Sequence, residues 1–243
     1  MSQIDRRTLL GGLPLAASAA LPQTSAAPQR AGQLKITKLV YYRSSIRWRD
    51  LLFVEVHTDG GIIGLGEGTC HGRVDVVDAA LRWLEPDVIG MDPVGPEKQW
   101  ERIAYRLTRW SSGIIPRTAL SALDIAFWDI EGKRLGVPVW RLLGGSIHPR
   151  FCNYHTHWDA VVQSANPEAF AERAVENFLI HKWEGADDKL FQEATNGTYP
   201  VQKDGYLTLP DKPGLGIEFD AAQLAKRYPF TNLGSQVEQR GRF

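Results

Sequence analysis

The chain has 243 residues, 43% of them hydrophobic, and its 28 basic and 28 acidic side chains give a formal net charge of zero. A chain of this length and composition can bury one or two modest cores, which indicates a soluble globular protein. The neutral balance argues against nucleic acid as the main partner, since phosphate binding needs clustered Lys and Arg. The two cysteines, Cys70 and Cys152, can form neither a disulfide framework nor a four-thiolate zinc site, and a single disulfide between them is left open.

Residues 1–30 have the composition of an export signal rather than of a folded domain. Arg6 and Arg7 precede an apolar, Ala-rich run that ends at Leu21. This run of about 13 residues is too short for a membrane span, which needs about 20. Paired arginines before a short apolar stretch are typical of a twin-arginine signal, so we expect cleavage between residues 20 and 27 and a periplasmic protein. The alternative is a disordered Ala-rich tail, in which case the protein is cytoplasmic.

From residue 34 onwards the sequence predicts a three-stranded antiparallel meander. Its segments are rich in β-branched and aromatic residues, and Asp59-Gly60 is a tight-turn pair that predicts a hairpin between the second and third strands. The polar, basic stretch 43–50 is expected to be a loop. The three strands are expected over residues 34–42, 51–58 and 62–67.

Helical spacing replaces the strand pattern after the meander. Helices are expected over 74–84, ended by Pro86, and over 96–110. A third helix follows Pro116, and strands followed by a run of helices indicate an α+β unit over 34–145. The third helix has an apolar stripe at spacings of three, four and three, formed by Leu120, Leu123, Phe127 and Ile130.

The third helix also carries the motif by which the family is recognised. The sequence ALSALDIAFWDIEGK at 119–133, with its continuation to Gly145, closely resembles the signature of the mandelate racemase and muconate-lactonizing enzyme group of the enolase superfamily. Residues 203–218 are similar to the C-terminal closing segment of that group. The stretch GLGEGT at 64–69 and the arginines around it resemble the sugar-acid dehydratases, galactonate dehydratases in particular.

The resemblance implies a fold and a reaction. In this family a capping domain, here 34–150, is followed by a (β/α) barrel, and the closing segment, here 203–230, packs back on the cap. The implied reaction removes the proton α to the carboxylate of a small sugar acid with a Lys or His base, while Mg²⁺ neutralises the enediolate oxygens. Three carboxylates at the ends of successive barrel strands hold the metal in the family.

The implied barrel does not fit into this chain. A barrel of eight strand–helix units takes about 250 residues and rarely fewer than 200, whereas 57 residues, 146–202, lie between Gly145 and Lys203. This interval contains neither the Lys-x-Lys base motif of the group nor three acidic strands at regular spacing. We therefore expect an internally truncated, inactive relative that lacks the catalytic base and the Mg²⁺ ligands, with a barrel remnant over 151–202 and a disordered tail over 231–243.

Six residues of the cap are the remaining candidates for substrate binding. In the resembling enzymes the two cap loops close over the substrate, where an arginine pairs with the sugar-acid carboxylate. The alternative is that these side chains are ordinary solvated charges. The six residues are Arg43, Arg47, Trp48, Arg49, His71 and Arg73.

Other residue patterns are less specific. His155 and His157 lie two apart on an expected strand and would face the same side, as metal ligands can. Without a third ligand, a remnant of the barrel mouth is the favoured interpretation. Acidic residues of the signature helix are interpreted as structural contacts, since Asp124 and Asp129 are five apart and helical neighbours are three or four apart. The run from Gly64 lacks the third glycine of a nucleotide-binding motif.

Two other functions are left open. A cap without its barrel would expose apolar patches, and such patches favour association. The chain could then be a non-catalytic binding or assembly module that pairs with itself or with a full-length paralogue. Alternatively, the cap could dock on a barrel encoded elsewhere. A degenerate gene or an error in the gene sequence would also account for the missing interior.

Overall fold

The structure is a computed structural model, and it leaves part of the chain undescribed. Several parts of the chain discussed above lie outside the described residues: the leader 1–30, Arg47, Trp48, His157 and most of the predicted barrel remnant. Of 151–155 and 181–183 only the backbone is described. The described residues are 34–46, 49–107, 112–146, 148, 150–155, 181–183, 192–200, 203 and 206–233.

The predicted three-stranded meander is confirmed. Strands β1 (Ile36–Ile46), β2 (Arg49–Thr58) and β3 (Ile63–Glu67) form an antiparallel sheet in the order β1-β2-β3. The turn between β2 and β3 is closed by the Thr58 N–H, which donates to the Ile62 carbonyl at 3.1 Å. Its third residue, Gly61, has a φ of 75°, a conformation that favours glycine.

The polar stretch 43–50 is mostly strand, so the expected loop was wrong. β1 continues to Ile46, and Ser45 lies opposite Asp50 in the register of the hairpin. The Ser45 hydroxyl donates to the Asp50 carboxylate at 2.6 Å, and Asp50 is buried. Polar residues can extend this hairpin because their side chains form hydrogen bonds with the opposite strand. A prediction based on residue polarity alone does not detect such pairing.

Between the meander and residue 146, the described residues form helices α1 (Val74–Val88), α2 (Pro96–Arg106), α3 (Ile114–Leu135) and the short α4 (Val139–Leu142). The expectation that Pro86 ends α1 was wrong. Proline removes one helical hydrogen bond, but the Ile89 N–H still donates to the Glu85 carbonyl at 2.9 Å, and Val88 is fully buried. Among the described residues, no helix combines the length and the apolar character that a membrane span requires.

One face of the sheet packs on α1 and α3, α2 packs on α3, and together these elements form the main core. β3 lies against α3 at very short range because of its glycines. A Cβ on Gly64 would lie 2.2 Å from the Ala126 carbonyl oxygen, and a Cβ on Gly66 would lie 1.9 Å from that of Ala122. The two glycines thus allow β3 to contact the backbone of α3. This packing explains the Gly-x-Gly sequence, so no role in nucleotide binding is needed to account for it.

The other face of the sheet is covered by the C-terminal part of the chain. Alternate residues of β2 point to opposite faces, and Leu51 and Phe53 pack with α5 (Ala221–Arg227) in a second, smaller core. The rings of Phe53 and Phe219 have their centroids 4.5 Å apart. The full set of buried residues in this core is Ile46, Leu51, Phe53, Ala194, Ala221 and Leu224.

A second sheet joins part of the interval 146–202 to the closing segment. β4 (Arg150–His155) pairs in parallel with β5 (His181–Trp183) and antiparallel with β6 (Tyr206–Thr208). These strands have the order β5-β4-β6. The α+β capping domain with its closing segment is therefore the described architecture, and the predicted fold class is confirmed.

Candidate substrate-binding edge of the cap

Two segments that carry the candidate residues meet at one edge of the cap. The Gly68 N–H donates to the Leu52 carbonyl at 2.8 Å, and the Leu52 N–H donates to the Thr69 hydroxyl oxygen at 3.2 Å. These bonds fix the segment after β3 beside the start of β2. Arg49, three residues before Leu52, and His71, two residues after Thr69, therefore belong to backbone segments that lie side by side at one edge of the cap.

Arg43 lies on strand β1 rather than in a loop, and its guanidinium is used within the cap. It pairs with the Asp78 carboxylate of α1 at 3.5 Å and lies over the ring of Phe230 at 4.6 Å. Asp78 is buried and also accepts from Arg82 at 3.1 Å. Arg43 thus connects its own strand to α1 and to the closing segment, so it has a structural role in the cap.

The other described candidates face outward to different degrees. Arg49 is half-buried, whereas His71 and Arg73 are exposed. Arg73 directly precedes α1, where its side chain donates to the Gly72 carbonyl at 2.6 Å. Arg49, His71 and Arg73 all have interactions within the chain. Basic side chains at one edge can attract a carboxylate, and such an interaction is strong only where water is excluded.

Of the two histidines, one lies within the described residues. The backbone of His155 ends β4 and lies opposite Trp183 of β5. His157 lies outside the described residues. Their assignment to a former barrel mouth therefore stays a prediction.

The acidic residues of α3 make structural contacts. The Asp129 carboxylate is 1% exposed and accepts from the Leu65 N–H at 2.9 Å, the Leu215 N–H at 2.8 Å and the Lys133 ammonium at 2.6 Å. Glu131 is bound through both oxygens by Arg134, at 2.7 and 3.0 Å.

Asp124 is the signature-helix carboxyl with a shifted pKa. Burial, followed by the negative charge of Glu97, raises the pKa of Asp124 above its ordinary value. A second shifted group lies on the sheet, where burial, followed by the hydrogen bond to Glu85 at 3.0 Å, raises the pKa of the Tyr41 phenol. Burial is the first cause of each shift and a neighbouring glutamate is the next, so both shifts follow from packing.

The described residues do not fit a Mg²⁺ site. Mg²⁺ prefers several oxygen ligands in octahedral geometry, and no group of three or more His, Cys, Asp or Glu side chains that could hold a metal occurs in the part of the chain that the structure describes. The most buried carboxylate of the signature helix, Asp129, has both oxygens engaged by N–H donors.

An apolar groove of about 420 Å³ lies elsewhere on the cap. Its lining comes from α1, the end of α2 and the start of α3, and none of the six candidate residues contributes to it. Trp83 at its border is 57% exposed, although tryptophan is usually well buried. The lining residues are Ala80, Trp83, Leu84, Leu107, Ile115 and Pro116.

Two polar pairs at the end of the β1–β2 hairpin were missed by the sequence analysis. Ser45 donates to Asp50, and the Thr231 N–H donates to the Ser45 hydroxyl oxygen at 2.7 Å. Thr231, assigned to a disordered tail, thus contacts the hairpin. The position of Asp50 opposite Ser45 was available only once the strands were extended through 43–50.

Comparison with known proteins defines the class first. Residues 34–144 match the family model of the mandelate racemase / muconate lactonizing enzyme N-terminal domain. The structural neighbours include a presumed dehydratase protein of Salmonella enterica serovar Typhimurium, with a TM-score of 0.51 and 30% identity over 59% of this chain and 40% of that chain. They also include an enolase from Pantoea ananatis with bound D-gluconate and Mg, with a TM-score of 0.48 and 35% identity over 50% of this chain and 30% of that chain.

The sequence relatives narrow the class. Over 121 residues the chain is 41% identical to a D-galactonate dehydratase of Verminephrobacter eiseniae (strain EF01-2). This match covers 50% of the chain and 31% of the relative, so the chain spans about a third of that protein's length. Residues 34–144 therefore form a capping domain of the mandelate racemase/muconate-lactonizing enzyme group of the enolase superfamily, and the chain is similar over 121 residues to D-galactonate dehydratases.

Proposed function

We propose that this chain is an internally truncated relative of the Mg²⁺-dependent sugar-acid dehydratases and is catalytically inactive by itself. One observation carries the proposal. The chain's own closing segment covers the cap sheet on the face opposite the helices, while 57 residues separate Gly145 from Lys203. A barrel of eight units needs roughly 200 residues or more.

The chemistry of the proposed parent reaction explains the expected inactivity. Removing the proton α to a carboxylate creates an enediolate, which requires a base for the proton and a metal for the charge. The cap edge offers Arg49, His71 and Arg73, which can contribute to carboxylate binding but supply none of the oxygen ligands that Mg²⁺ prefers. Uniform binding of a substrate does not accelerate its reaction.

We propose D-galactonate as the parent substrate because the sequence relatives of this cap are D-galactonate dehydratases. Gluconate, mannonate and related acids differ only in hydroxyl configuration. The contacts that distinguish them lie on both the cap and the barrel in a complete enzyme, so a cap alone retains at most part of this selectivity.

The test is a turnover assay on the purified full chain. D-Galactonate, D-gluconate and D-mannonate are incubated with Mg²⁺, and the 2-oxo acid formed by loss of water is measured after derivatisation. The D-galactonate dehydratase of Verminephrobacter eiseniae serves as the positive control. We expect product at the level of a protein-free blank and no Mg²⁺ binding by calorimetry. Turnover well above the blank, abolished by a chelator, would refute the proposal.

A second candidate function is assembly with another copy of the chain. The apolar groove favours this assembly. Trp83, which lines the groove, is 57% exposed, and Ile114, which precedes the lining residue Ile115, is 69% exposed. Exposed apolar surfaces of this kind often mark contacts between proteins. Size-exclusion chromatography with light scattering distinguishes a monomer from a dimer. If the chain is a dimer, Trp83→Asp is expected to convert it into a monomer. A wild-type protein that is monomeric at high concentration rules out self-association; a pull-down with a full-length paralogue tests the other partner.

We further propose export to the periplasm through the twin-arginine route. The support is the sequence alone: paired Arg6 and Arg7 precede a short apolar run. Cell fractionation of the tagged full chain is expected to find the protein in the periplasm, and the double change Arg6→Lys, Arg7→Lys is expected to retain it in the cytoplasm. Equal periplasmic amounts of both proteins would refute this route.

A further inference from the structure

A six-residue stretch of the closing segment, here called the strap (Pro210–Leu215), is bound to the cap mainly through its backbone. The Gly214 N–H donates to the Val137 carbonyl at 3.0 Å, and the Val139 N–H donates to the Gly214 carbonyl at 2.9 Å. Gly214 therefore forms a parallel bridge with the residue between them, Pro138. At the other end of the strap the Trp140 indole N–H donates to the Pro210 carbonyl at 2.9 Å.

The strap lies directly against the backbone of α3. A Cβ on Gly132 would be 2.8 Å from the Gly214 Cα, and a Cβ on Gly214 would be 2.2 Å from Asp129 Oδ1. Gly214 also has a φ of 70°. Neither glycine can carry a side chain without displacing the strap, so the approach of Gly214 to Asp129 is part of the fold.

Asp129 joins the strap to strand β3 through one carboxylate. Its Oδ1 accepts from the Leu215 N–H at 2.8 Å, while Oδ2 accepts from the Leu65 N–H at 2.9 Å and from Lys133 Nζ at 2.6 Å. All three partners are donors, and the carboxylate is 1% exposed. Loss of this acceptor would leave buried N–H groups without a partner, which is costly.

The rest of the closing segment is held by different interactions. Phe219 and Leu224 pack in the second core with Phe53, and these contacts are apolar. The main core between the sheet and the helices contains no strap residue. The strap and the α5 region of the closing segment are thus attached separately, the strap mainly by polar contacts and the α5 region by apolar ones, and local structures with separate supports can open separately.

We propose that Asp129 is the latch of the strap: its carboxylate couples strap and β3, and without it the strap opens locally while the cap core stays folded. The opened state frees the backbone groups of Val137 and Val139, which then form an edge available for pairing. The acceptor character of the side chain, rather than its volume, holds the strap closed.

Hydrogen exchange followed by mass spectrometry on the full chain tests the latch. Asp129→Asn keeps the volume but places an N–H₂ group where one oxygen accepts. We expect the amides of Val139 and Leu215 to exchange about tenfold faster or more, since the mutation affects a buried charge-assisted bond. The amide of Val54 in the main core is expected to change less than about twofold. The control Asp211→Asn removes the exposed pair with Arg141 and is expected to leave exchange of the strap unchanged.

Two results would overturn the proposal. Equal acceleration of strap and core amides would mean that Asp129 supports only global stability. Unchanged exchange of the strap would mean that other contacts hold it. If Asp129→Asn does not fold, Lys133→Met is used, because it removes one donor and leaves both backbone bonds possible. Lys133→Met is expected to accelerate amide exchange in the strap only, and by less than Asp129→Asn does. A Lys133→Met protein whose strap amides are accelerated no more than its core amides would also contradict the proposal.

Discussion

Gly66→Ala adds one methyl group at the closest approach between the sheet and α3. The new Cβ would lie 1.9 Å from the Ala122 carbonyl oxygen and 3.2 Å from Cγ1 of Val54. The clashing oxygen belongs to the interior of a 22-residue helix, and Ala122 is fully buried. Neither the helix backbone nor the central strand can move away, so β3 must shift by roughly 1 Å relative to α3 to reach an ordinary contact distance.

The expected loss of stability follows from this displacement. Overpacking of a core typically costs about 1–3 kcal/mol, and a clash with backbone belongs at the upper end. The lower entropy of the unfolded alanine chain returns about 0.4–1 kcal/mol. We therefore expect Gly66→Ala to lower the free energy of unfolding by about 2–2.6 kcal/mol, which corresponds to roughly 4–10 °C in Tm for a chain of this size.

Gly68→Ala is the matched control, two residues along the chain. The three nearest neighbours of its new Cβ would all be side-chain atoms, Ala122 Cβ and Leu52 Cδ2 at 3.3 Å and Val77 Cγ1 at 3.4 Å. Such atoms can shift by a few tenths of an ångström, so we expect a change within about 1 kcal/mol. Urea unfolding followed by circular dichroism measures both variants. Equal losses in the two variants, or a Gly66→Ala protein as stable as wild type, would refute the packing argument.

Two further predictions concern titrating groups. Because the pKa of Asp124 is raised by burial and by Glu97, the folded state binds this proton more tightly than the unfolded chain, and the ionised carboxyl destabilises the fold above the raised pKa. Asp124→Asn is therefore expected to raise the urea midpoint at pH 7, and this gain should vanish below about pH 4; a gain that is the same at both pH values would contradict the assignment. The pKa of Tyr41 is raised by burial and by Glu85, so wild-type stability should fall as pH rises above about 10, the ordinary value for tyrosine. Tyr41→Phe should lose about 1 kcal/mol at pH 7 with the hydrogen bond and show a shallower alkaline decline, and parallel pH curves would refute the assignment.

The sequence predicted the elements of the cap because their patterns are local. The β-branched and aromatic residues of the strands and the apolar stripe of α3 each fit within about a dozen residues, and both elements occur as expected. The ends of elements were less predictable. The strand beyond Arg43 depends on the pairing of Ser45 with Asp50, and the last turn of α1 after Pro86 depends on burial of Val88.

The side-chain partners of the candidate site depend on residues far apart in the chain. Arg43 was expected to face a substrate, but its contact with Phe230 arises only after the closing segment has folded back. Asp129 was correctly interpreted as structural, yet its partners Leu65 and Leu215 lie 64 and 86 residues away in sequence. No local pattern encodes such distances, and only tertiary packing brings these groups together.

The two stretches with the clearest resemblance to the family are in contact with each other. Trp140 and Asp129 of the signature stretch bind Pro210 and Leu215 of the closing segment, at 2.9 and 2.8 Å. None of these residues belongs to the interval 146–202. The hydrogen bonds that close the cap therefore involve no residue of that interval, which supports the proposal that the capping fold forms without a complete barrel.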